Sequence, residues 1–161
     1  MATVLKGLLL AAALLLLPSS VPADEPDHHA GYYYPEPQSS ETYTARYDTL
    51  RDSSRLRRLV FVTGVTQQLV KAQYAPPFAI FAKGDDADKL IIVGLQDGPF
   101  STLYRARAQL ANLTAMARVT AFFREHTNPE NATFFDLLKL LGFKQVTVTD
   151  GVNFAHQVTI E

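Results

Sequence analysis

The chain has 161 residues, 15 Lys and Arg against 16 Asp and Glu, and neither cysteine nor tryptophan. A net charge of −1 gives no long-range field to gather nucleic acid. The missing cysteine excludes disulfide frameworks, thiol catalysis, iron–sulfur clusters and thiolate zinc sites, and the length suffices for one domain with a proper core.

Residues 1–23 read as a cleavable secretory signal peptide. Lys6 is the positive head, and Gly7 to Leu17 is an apolar run too short to span a bilayer. Pro18-Ser19-Ser20 breaks it, and Val21-Pro22-Ala23 places small residues before a cut at Asp24. Loss of Lys6, the one charge in the leader, takes the net charge from −1 to −2. No other segment is apolar for long enough to anchor the chain after cleavage. The expected address is the periplasm or the secreted fraction, where a domain of this size needs no disulfides.

Residues 24–40 form an expected extended arm, with Pro26, Pro35 and Pro37 breaking any helix. The arm also carries His28-His29 and Tyr32-Tyr33-Tyr34, and at least one of these rings is expected to bury against the domain. Residues 41–161 make up the domain. A short helix fits Ala45 to Asp52. Leu59 to Thr63, β-branched and aromatic before Gly64, reads as the first strand, with a short helix from Gln67 to Gln73 capped by Thr66. Phe78 to Ala82 and Lys89 to Val93 read as a β-hairpin around an acidic loop. Leu103, Ala106, Leu110, Leu113 and Ala117 recur at three- and four-residue steps, predicting one long helix capped by Ser101 and running to about Glu125. Thr133 and Asp136 predict a capping box, and Gly142 a left-handed helix stop with Phe143 packing back on the last turn. The last two strands are expected to join through a three-residue turn, Thr149-Asp150-Gly151. That turn sets Val148 opposite Val152 and Val146 opposite Phe154, with Gly151 at positive φ. Phe154, Val158 and Ile160 then share a face with His156. The expectation is an α+β fold in the order β-α-β-β-α-α-β-β. It has an antiparallel sheet of about five strands, covered on one face by two or three helices.

Four stretches carry a resemblance: Ala30 to Pro37 (AGYYYPEP), Phe78 to Gly84 (FAIFAKG), Leu103 to Ala108 (LYRARA) and Phe154 to Gln157 (FAHQ). Together they resemble a family of small exported proteobacterial proteins of unknown function. The resemblance implies an address and no mechanism. Some members carry a molybdenum-cofactor guanylyltransferase label, but the glycines here never cluster into the nucleotide-binding loop that such chemistry uses.

There is no G-x-S-x-G elbow, no H-E-x-x-H, no Walker loop and no dinucleotide fingerprint. His28 and His29, beside Asp24, Glu25 and Asp27, have metal-ligand chemistry, but adjacent histidines on an arm fix no geometry alone. The plainer reading is a solvated chain start. Asp85, Asp86 and Asp88 lack the alternating calcium-loop pattern and read as a soluble hairpin tip. His156 is either a core histidine held by a fixed partner or a general base under the Tyr32–Tyr34 arm. Arg55, Arg57 and Arg58, within a wider arginine cluster, form a candidate partner surface with the tyrosines, or else a salt-bridging face. No cofactor is expected. The leading expectation is a non-enzymatic binding or accessory protein for an unknown protein or small molecule. The alternative is a small hydrolase-like enzyme using His156 with a carboxylate and tyrosines.

Overall fold

The structure, a computed structural model, describes residues 35–161 with the exception of position 97. Nine elements follow in order: β1 (Ser39–Tyr43), α1 (Arg55–Lys71), β2 (Phe78–Lys83), β3 (Lys89–Gly94), α2 (Leu103–Arg118), α3 (Ala121–His126), α4 (Phe134–Leu140), β4 (Gln145–Thr149) and β5 (Ala155–Ile160). The strands form one sheet in the order β1-β5-β4-β3-β2. The fold is α+β as expected, but the sheet is mixed rather than antiparallel. β1 runs parallel to β5 and β3 parallel to β4, while β2–β3 and β4–β5 are antiparallel. The physical reason is the helical segment between β3 and β4: a connection of that length can return the chain in the same direction, which a tight turn cannot.

Register decides which side chains meet. Leu90 and Ile92 pair with Val146 and Val148, which pair in turn with Val158 and His156. One sheet face therefore gathers Phe78, Ile80, Leu90, Ile92, Val146, Val148 and Ile160. It packs on Ala106, Leu110, Leu113 and Ala117 of α2, Phe123 of α3 and Leu137 and Leu138 of α4. The α2 residues are those of the predicted stripe. The helix itself is capped by Thr102 rather than Ser101 and ends at Arg118. Thr120 there accepts from the Phe123 N–H and starts a separate helix, α3, so the long helix expected to reach Glu125 is two. The opposite face of the sheet is more polar, with Gln145 donating to Gln157 across β4 and β5 at 3.0 Å.

Three expectations fail locally. Leu59 to Thr63 is not a strand, and no separate helix starts at Thr66. Both lie inside α1, which Ser54 caps by accepting from the Arg57 N–H. Val60, Val62 and Val65 favour a strand locally. Yet Phe61, Val65 and Leu69 fall on one helical face and pack on the core, and tertiary burial overrides the propensity. Ala45 to Asp52 is a bend and turn, not a helix. The arm boundary at residue 40 falls inside β1, a polar five-residue strand whose parallel partner is β5, at the far end of the chain.

The β4–β5 connection is longer than the expected three-residue turn. Thr149 pairs with Ala155, Val148 with His156 and Val146 with Val158. The cause is Asp150, whose Oδ1 accepts from the N–H groups of Val152, Asn153 and Phe154, each at 2.9 Å. Thr149 Oγ1 accepts from Gly151 N–H and donates to the Phe154 carbonyl at 2.6 Å. A carboxylate that satisfies three donors stabilises a loop that turn-residue preference alone does not predict. Gly151 does take positive φ, at +77°. The β2–β3 hairpin is as expected, with Phe81 opposite Ile91, and so is the Thr133–Asp136 capping box. Gly142 has φ +82°. Its N–H reaches the Lys139 carbonyl and the Phe143 N–H reaches Leu138, closing α4 as a Schellman motif.

Candidate functional site

Parallel pairing with β1 places Ser39 beside His156 and Glu41 beside Val158, so Ser39, Glu41 and His156 share the helix-covered face. Ser39 Oγ lies 2.8 Å from His156 Nδ1, and Glu41 Oε1 lies 3.4 Å from Nε2. Arg107 of α2 closes the chain with Nη2 2.5 Å from Glu41 Oε2. Burial alone would push the Glu41 carboxyl up. The hydrogen bond from Arg107 and the nearby His156 ring outweigh it and hold the group below the usual carboxylate range.

Serine, histidine and glutamate are the residue types of a hydrolytic triad, but the arrangement differs from one in three ways. The His156 ring is only 2% exposed. Its Nε2 stands within ion-pair distance of Glu41 without hydrogen-bond geometry, and is a buried polar atom lacking a hydrogen-bond partner. Among the described residues, neither the apolar cleft between α1, α2 and β2 nor the clefts beside Arg58, Val70 and Tyr104 are lined by Ser39, Glu41 or His156.

The main polar node lies at Asp136, which is fully buried. It accepts from the Tyr43 hydroxyl at 2.9 Å, from the Arg46 N–H at 2.8 Å and from the Thr133 N–H at 2.8 Å, and pairs with Arg46 Nη1 at 3.3 Å. Tyr43 also receives Arg46 Nη1 at 2.8 Å. Burial and the adjacent Asp136 carboxylate raise the Tyr43 hydroxyl above its ordinary value, against the lowering by Thr133. Every group here has partners, and the node ties β1 and the following loop to the start of α4. The capping-box motif made Asp136 legible and Arg46 belonged to the wider arginine cluster, whereas Tyr43 carried no signal in sequence.

The three arginines of the candidate surface do not point to a common ligand. Arg58 is buried and donates to the Asp86 carbonyl through Nε and Nη2, at 3.1 and 2.8 Å, and to the Leu141 carbonyl through Nη1 at 3.3 Å. It staples α1 to the hairpin tip and to the end of α4. Arg57 pairs with Asp52 and stacks over Phe122 at 5.3 Å, while Arg55 donates to the Asp85 carbonyl at 3.0 Å. The hairpin-tip acids serve likewise. Asp88 meets Lys144 at 2.9 Å, and that bond lowers its carboxyl below the ordinary value. Among the described residues no three His, Asp or Glu side chains converge as a metal site, and no helix is long and apolar enough to cross a membrane. Tyr32, Tyr33, Tyr34, His28 and His29 lie outside the described residues.

One concavity is strongly apolar. A groove of about 270 Å³ opens between α1, α2 and β2, walled by Phe61, Val65, Leu69, Phe78, Leu113 and Leu137. Gln68 and Thr120 are its polar members, and Met116, 56% exposed, stands in its wall towards solvent. Neither the sequence spacing nor the strand assignment of residues 59–63 foresaw it, because it exists only once α1 is a helix lying over β2.

Comparison with protein-family models, with curated proteins and with solved structures finds no match.

Proposed function

We propose that this chain is an exported, non-enzymatic binding protein that holds an apolar guest in the groove between α1, α2 and β2. The observation that carries the reading is the groove itself, an open apolar concavity with only two polar residues in its wall. Binding sites are typically concave and mostly apolar, with few polar groups to orient the guest. The sealed His156 ring supports binding over hydrolysis, because a general base must reach the proton that it abstracts. Export rests on the leader at residues 1–23 and on the resemblance to exported proteobacterial proteins, with the periplasm as destination.

The chain has no tryptophan, so an extrinsic probe reports cleanly. An uncharged naphthalene dye should brighten on binding the purified protein and be displaced by decanol. Ala72→Glu with Met116→Glu places two carboxylates at exposed positions of the groove wall. It should weaken dye binding at least tenfold without lowering the melting temperature. Equal binding by the double variant, or no binding by the parent, would overturn the reading. Intact mass of the exported form should start at Asp24, and a retained leader would refute export by cleavage.

A further inference from the structure

The wall of the apolar groove restricts its guest further than apolarity alone. Among the described residues no ionisable side chain lines it, and its two polar members are Gln68 and Thr120. The Thr120 hydroxyl is engaged: it donates to the Ala117 carbonyl at 2.7 Å and accepts from the Phe123 N–H at 3.3 Å. Gln68 is exposed and makes no hydrogen bond to another described residue. Its side chain therefore offers a guest both an amide oxygen and an amide N–H.

The backbone adds acceptors. Gln68, Leu69 and Ala72 set the last turn of α1 at the groove. Ala72 leaves the helix in an extended conformation, and its N–H turns back to the Leu69 carbonyl. The remaining carbonyls of that turn have no intrahelical donor, and they form the negative end of the helix dipole. α2 also ends at the groove, through Met116 and Ala117. That end is closed, since the Ala117 carbonyl takes both the N–H and the hydroxyl of Thr120. Lys71, the cation in the last turn of α1, lines the neighbouring cleft with Val62 and Val70 instead.

An anionic head would meet the negative helix end with no cation in the wall, and a cationic head would find no carboxylate there. Burying an unpaired charge is costly. An uncharged head that donates a hydrogen bond suits both the Gln68 oxygen and the helix end. Size narrows the guest too. A groove of about 270 Å³ lies just below the usual range of small-molecule sites, which suits one alkyl chain rather than a ring system or a two-chain lipid.

We propose that the guest is a single-chain, uncharged amphiphile whose head donates a hydrogen bond, as in a medium-chain primary alcohol, and that Gln68 selects it. This inference rests on the reading of the groove as a binding site.

1-Decanol, its methyl ether, decanoate and decylammonium share one chain and differ at the head. Displacement of the naphthalene dye at about pH 8, where the carboxylate is ionised, ranks them. Decanol should act at a concentration about fivefold below that of the ether, which lacks the donor, and at least tenfold below that of either ion. Gln68→Leu changes an exposed position, and circular dichroism should show the fold intact. It should weaken decanol about fivefold and leave the ether no weaker, a split that a general loss of structure would not produce. If the ether or either ion matched decanol, or if Gln68→Leu left decanol unchanged, this inference would be overturned while the groove reading stood. A parent that binds no dye overturns both.

Discussion

The same substitution at two glycines should have opposite effects. Gly142 closes α4 at φ +82°, and a Cβ there would lie 2.7 Å from Arg58 Nη1 and 2.9 Å from Ser53 Oγ. Placing an L-residue in the left-handed region costs about 1–2 kcal/mol. Relieving the clash moves Arg58 Nη1 off the Leu141 carbonyl, and a charge-assisted hydrogen bond contributes about 1.5–3 kcal/mol. Arg58 keeps its two bonds to Asp86, so the total for Gly142→Ala is about 2.5–5 kcal/mol. For a domain of this size that lowers Tm by roughly 10 °C. Gly64 lies within α1, and a Cβ there would meet nothing within 4 Å. Gly64→Ala removes backbone freedom from the unfolded chain and should stabilise by about 0.5–1 kcal/mol. Urea unfolding of both variants beside the parent gives the two differences directly. If Gly142→Ala were as well tolerated as Gly64→Ala, the stapling role given to Arg58 would be wrong.

Three further outcomes follow from the polar groups. Asp136→Ala strands the Tyr43, Arg46 and Thr133 donors and should cost on the order of 3–5 kcal/mol, read by urea unfolding; a loss under 1 kcal/mol would contradict the node. His156→Ala removes the packed ring and the partner of Ser39, costing about 1–3 kcal/mol, and an unchanged Tm would count against a structural role. Burial raises the Asp150 carboxyl, but its three N–H donors outweigh that and lower it below the ordinary carboxylate value. Its stabilisation is therefore complete above the unfolded value near 4 and is lost as pH falls through the folded value. Asp150→Asn should be less stable than the parent at pH 7, with the gap closing in melts below about pH 4; a gap independent of pH would refute the assignment.

How much was legible in the chain depended on how local the cause was. The Thr133–Asp136 box, the Gly142 stop, the α2 stripe and the Phe78–Val93 hairpin are each written in neighbouring residues. Capping, left-handed φ, helical period and hairpin closure act over a few positions, and the sequence by itself determined them. Tertiary structure decided the rest. Residues 59–63 have strand-like side chains, and only the core beneath Phe61, Val65 and Leu69, with the anchored Arg58, makes them helical. β1 is a polar segment that becomes a strand because β5, from the opposite end of the chain, offers it a parallel edge. That pairing brings Ser39 and Glu41 to His156 and Tyr43 to Asp136. The groove likewise needs α1 over β2, two elements whose local sequence carries no instruction about each other. Its existence follows from burial and register, which are properties of the whole chain.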